Sequence, residues 1–181
     1  MDARSITRRN FIRMSAIGAG CLTIAGCWSS VSSHRYILTN EEAETLDAIA
    51  DQIIPPDDFS GGREAGVTNF IDRQLSGVYS EHIPMYRACL KGINETGIEV
   101  YGKPFGGMDF DTQLEYLRAI ESGRYNDGDW DGFTPSSFFN TVRNHCLQGF
   151  YGSPRHGGNK NYVSYRMMRL DYPLIIGRNV H

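Results

Sequence analysis

The chain is 181 residues long, 40% hydrophobic and 22% charged, with a formal net charge of −3. That length and apolar content suit one domain with a packed core and exclude a globally disordered chain. Removing residues 1–26, which hold four arginines and one acid, leaves 14 basic and 20 acidic side chains, the wrong sign for a nucleic-acid binder or for a protein lying on anionic lipid.

The N-terminal segment reads as an address. Thr7-Arg8-Arg9-Asn10-Phe11-Ile12-Arg13 has the pattern of a twin-arginine export signal: a hydroxyl residue, two arginines, any residue, then Phe and an aliphatic residue. The apolar run Met14–Ala25 is shorter than the roughly 20 residues a spanning helix needs, so it reads as a signal-peptide core. Ile24-Ala25-Gly26-Cys27 has the form of a lipobox, in which a peptidase cuts before a cysteine that carries diacylglycerol; Cys21 lacks the aliphatic residue. Residues 1–26 are therefore expected to be a signal peptide. Cys27 is expected to be the acylated N-terminus of an exported, membrane-anchored envelope protein. Ordinary cleavage and a retained anchor are the alternatives for Cys27. A Ser-rich linker, 27–38, leads into a domain spanning 39–181.

Thr39-Asn-Glu-Glu42 is a capping box, and Leu46, Ile49, Ala50, Ile53 and Ile54 follow at helical spacing up to Pro55-Pro56. The pattern predicts a second helix over Val67–Val78, with Phe70, Ile71 and Leu75 inward. A third is predicted from Pro84 to about Tyr101, with Met85, Cys89, Ile93 and Val100 on one stripe. A fourth runs over Asp111–Ser122, with Leu114, Leu117 and Ile120 inward and Gly123 ending it. Thr134-Pro135, an N-cap followed by Pro at N1, starts a fifth helix to about Phe150, with Phe138, Phe139, Val142, Cys146 and Phe150 inward. No alternating run predicts a strand. The expected fold is mainly α: a single domain of about five helices with long loops.

Motifs for cofactors are missing from the chain. There is no GxGxxG, CxxCH, paired CxxC, GxSxG or HExxH. Asp127-Gly-Asp129-Trp-Asp131-Gly132 matches the first half of a calcium loop, but Phe138 stands where the bidentate Glu belongs. These three acids are the weak metal candidate; the plain alternative is a solvated acidic turn before a helix. Cys89 and Cys146 each fall on an apolar stripe. Export to an oxidising compartment favours a disulfide between them, against two separate buried thiols or a bond to a partner chain. His82, His145 and His156 are scattered, and no catalytic set can be assembled from their order.

Two stretches carry a resemblance. In the first, Phe138-Phe139-Asn-Thr-Val142-Arg143-Asn-His145-Cys-Leu-Gln-Gly149 is followed by Gly152-Ser-Pro154-Arg155-His156-Gly157-Gly158-Asn159. In the second, Leu46-Asp-Ala-Ile-Ala-Asp-Gln-Ile-Ile-Pro-Pro56 runs into its proline stop. Together they resemble the gluconate 2-dehydrogenase subunit 3 (gamma subunit) family over about Leu38 to Asn159. After Asn159 the chain departs, with Tyr165–Pro173 where the family often has a Trp and a Gly-Tyr-Pro turn. The resemblance implies a helical, non-catalytic small subunit of a membrane-associated sugar or sugar-acid dehydrogenase. It implies partners too: a large subunit that carries FAD, and a cytochrome subunit with c-type haem. The small subunit's signal would then serve the folded flavoprotein at the twin-arginine translocase. Pro154, Arg155, His156, Gly157, Gly158 and Asn159 form a low-profile loop expected to meet the partner, or else a plain surface turn. A stand-alone envelope lipoprotein binding a sugar or a metal ion is the competing function. An enzyme acting alone is a third.

Overall fold

A computed structural model of the protein describes residues 35–128 and 130–170. The signal motif with Arg8 and Arg9, the lipobox with Cys27, Asp129 and the chain after Leu170 lie outside the described residues. Within that span there are six α-helices and no strands: α1 Asn40–Ile53, α2 Val67–Leu75, α3 Ile83–Tyr101, α4 Phe110–Glu121, α5 Pro135–Tyr151 and α6 Val163–Met167. Four single 3₁₀ turns, Ser80–His82, Phe105–Gly107, Pro154–His156 and Lys160–Tyr162, link them. No described helix is long and apolar enough to cross a membrane.

Helix α1 begins on the expected capping box: Thr39 Oγ1 accepts the Glu42 amide, and Glu42 returns a carboxylate to the Thr39 amide. It packs against α2, α3, α4 and α5, so its apolar face is buried almost all round. Helix α5 is the second hub, touching the four preceding helices and α6. Its whole expected stripe is buried. Each such side chain contributes about 1.5–3 kcal/mol by leaving water.

A buried polar network ties α1, α3 and α4. Gln52 Nε2 donates to the Phe110 carbonyl and to Gln113 Oε1, and Gln113 Nε2 donates to the Phe105 carbonyl. Asn94 accepts the Phe105 amide and donates to Thr45 Oγ1. Tyr116 donates to the Ile93 carbonyl. Asn94 and Gln113 thereby satisfy the buried Phe105 amide and carbonyl at the start of the 105–107 turn, whose Gly107 and Met108 amides bond back within the turn to the Pro104 and Phe105 carbonyls.

Three local expectations are corrected. Helix α2 stops at Leu75, and Val78 is exposed. Val100 is also exposed, because the inward stripe of α3 passes through Gly92 and Gly97 instead. Thr134 makes no side-chain cap on α5; Asn126 Oδ1 accepts the Ser136 amide in its place. A sixth, short helix also forms in the tail that reads as irregular.

The segment 35–38 belongs to the domain rather than to the linker. The amides of Tyr36, Ile37 and Leu38 all donate to the Asp72 carboxylate of α2, at 2.8, 2.9 and 2.8 Å. Leu38 is buried in the core cluster.

Candidate functional site

The motif that carries the resemblance folds as one unit: α5, the return loop after it, and α6. Gly152 closes α5, and the chain doubles back through the Pro154–His156 turn across α2. Three backbone groups of the loop are held there. Asn69 Nδ2 donates to the Gly157 carbonyl at 2.9 Å, Arg73 Nη1 to the Arg155 carbonyl at 3.0 Å, and the Lys160 amide to the Ala65 carbonyl at 2.9 Å. Gly157 sits at φ +104, beyond the easy reach of a side-chain-bearing residue. Asn159 is fully buried in the left-handed region; it donates to the Gly152 carbonyl and accepts the Ser164 amide, which launches α6.

The six residues read as a partner loop therefore divide. Gly158 and Asn159 are buried and face the protein's own helices. Pro154 and Gly157 are half-buried. Arg155 and His156 are exposed, with Arg155 Nε donating to His156 Nε2 at 3.0 Å. The glycines bring this chain close to itself. Only the basic side chains face outward.

The structure brings together two of the three histidines that looked scattered. His145 on α5 stacks on Tyr79, with ring centroids 4.0 Å apart and planes 5° from parallel. It is hydrogen-bonded through Nδ1 to the buried Tyr86 hydroxyl at 2.9 Å. His82 lies 5.4 Å away, centroid to centroid, and Tyr79 donates to Gln148 Oε1. His145 is 6% exposed. Burial, with a smaller contribution from His82, pushes its pKa down from 6.5 to about 4.

That shift sets a pH dependence. The unfolded chain takes up the imidazole proton first, so this contribution to stability is complete above pH 6.5 and is lost as pH falls toward 4. The full span is worth at most about 3 kcal/mol. Urea unfolding of wild type and His145→Gln at a series of pH values should show the wild type losing more stability between those limits. Equal slopes would remove the effect.

Cys89 and Cys146 stand as free, buried thiols in the structure, so the expected disulfide is not formed in it. Burial raises each thiol to about 12, which leaves neither nucleophilic. Asp127 and Asp131 are exposed, and Asp129 lies outside the described residues. Among the described residues no group of three His, Cys, Asp or Glu side chains is placed to hold a metal ion. The loop is pinned by Trp130 instead, whose ring lies against Gly92 of α3 so closely that a Cβ there would meet it at 2.7 Å. A shallow groove of about 330 Å³ lies between α1, α3 and the 105–107 turn, with Glu41, Glu44, Arg63 and Asn94 on its walls.

Sequence reasoning missed Asp72, Asn69 and Arg73, which hold the N-terminal arm and the return loop. The signal open to it was weak: a polar Asn-x-x-Asp-Arg set on a short helix, indistinguishable from a solvated face. It missed the Tyr79–His145 stack because the partners are far apart in the chain.

Comparison with curated proteins and with solved structures found no match. A family model, Gluconate 2-dehydrogenase subunit 3, matches residues 40–171. The match takes in all six helices, the capping-box helix at one end and the α5–loop–α6 unit at the other, and the chain belongs to the gluconate 2-dehydrogenase subunit 3 family.

Proposed function

We propose that this protein is the non-catalytic small subunit of a membrane-associated, FAD-dependent sugar or sugar-acid dehydrogenase. It escorts the folded flavoprotein through twin-arginine export and then anchors and stabilises it at the envelope. The family match over every described helix is the observation that carries this reading. FAD belongs to the large subunit and c-type haem to a third, cytochrome subunit. The Arg8-Arg9 motif supports the escort role. A flavoprotein binds FAD in the cytoplasm and must cross folded, and a passenger without its own signal crosses only while attached. Cys27, once acylated, supplies the anchor, with each buried methylene contributing about 0.8 kcal/mol.

The test is to replace Arg8 and Arg9 with lysine and follow the partner. Dye-linked sugar dehydrogenase activity should disappear from the envelope fraction and persist, FAD-loaded, in the cytoplasm. Undiminished activity in the envelope would rule out the escort role.

A further inference from the structure

Charge is divided sharply along the chain. Residues 35–131 carry 19 acidic and eight basic side chains, whereas residues 132–170 carry five basic side chains and no acid. Of those five, only Arg143 has an acidic partner among the described residues, Glu121 at 3.1 Å. Arg155, Lys160, Arg166 and Arg169 are exposed, and no described ion pair uses them. Met168 and Leu170, each 43% exposed, lie between and beside the last arginines in sequence.

We propose that the return segment 153–170 is a basic docking face for an acidic surface on the flavoprotein subunit; this rests on the subunit reading above. Three features favour a protein partner. The backbone is pre-organised by the Asn69, Arg73, Ala65 and Asn159 bonds, so little ordering cost remains on binding. Three of the four cations are arginines, whose planar fork matches carboxylates with two parallel bonds. Arg and Met side chains together are the composition of a protein interface. An anionic membrane fits less well, because the rest of the domain is strongly acidic and repelled by it. A second copy of this chain, acidic face on basic face, makes a head-to-tail contact that closes only as a ring and otherwise grows into filaments.

The full-length tagged chain is produced with its flavoprotein subunit in the native host, in three versions: wild type, Arg155→Glu/Arg166→Glu/Arg169→Glu, and the same three positions as lysine. Flavin absorbance per captured chain and dye-linked sugar oxidation are read. The glutamate version should lose at least tenfold in both, with helical circular dichroism and melting unchanged, while the lysine version keeps most of each. Captured flavin should also fall as salt rises. If the glutamate version keeps its flavin, the docking face is elsewhere and the inference fails while the subunit reading stands. If it keeps flavin but leaves the membrane fraction, the face contacts lipid, and if it keeps flavin but dissociates from its own copies, the face is a self-contact; either result overturns the proposal. Wild type that captures no flavin removes the subunit reading, and this inference with it.

Discussion

Replacing Gly158 with alanine is expected to cost the domain about 3 kcal/mol or more, lowering its melting temperature by about 10 °C. The return loop crosses α5 at this point with backbone on backbone. A Cβ on Gly158 would lie 2.1 Å from the Gly149 carbonyl oxygen and 2.8 Å from its carbon. No rotamer change relieves such a clash, because neither atom belongs to a side chain. Gly149 cannot give way inward, since its own Cβ position is already 2.9 Å from the Phe70 ring. The loop must therefore lift from α5. That strains the Asn159 bonds to the Gly152 carbonyl and the Ser164 amide, and with them the start of α6. Gly102→Ala serves as the control. Gly102 has φ +73 but nothing within 4 Å, so only the left-handed backbone penalty of about 1–2 kcal/mol applies there. Thermal melts of the two variants that fall together would show that close packing at the crossing is unimportant.

That crossing shows which parts of this molecule the sequence made legible. Helical periodicity depends on local spacing, so α1 to α5 could be read within a few residues. The buried stripe of α5 follows from the helical spacing of Phe138, Phe139, Val142, Cys146 and Phe150. The charged and glycine-rich residues were harder, because their roles depend on what lies opposite. Gly157 and Gly158 look like a loop offered to a partner, and only the placement of α2 and α5 shows that this chain occupies their inner face. Asp127 to Asp131 look like half a metal loop, and the Trp130 anchor on Gly92 becomes visible only when α3 is in place. His145 looks incidental until Tyr79 and Tyr86, from another part of the chain, enclose its ring.

Asp72→Ala should release the N-terminal arm and cost about 3 kcal/mol. Asp72 is 1% exposed, and its carboxylate accepts the amides of Tyr36, Ile37 and Leu38. Hydrogen bonds to a charged acceptor contribute about 1.5–3 kcal/mol each when buried. Water partly replaces those of Tyr36 and Ile37 once the arm opens, so the sum falls well short of three full bonds. The Leu38 amide is buried and has no such recourse without pulling its side chain out of the core. The arm thus opens locally before the helices do. Trypsin reports this directly. The Arg35–Tyr36 bond is guarded in the wild type by the engaged Tyr36 amide and should be cut much faster in the variant, at temperatures where the circular dichroism of both is still native. Asp72→Asn should fall between them, since its amide keeps one acceptor oxygen but turns a donor toward a donor. Equal tryptic rates at Arg35 in wild type and Asp72→Ala would mean that the carboxylate is not what holds the arm.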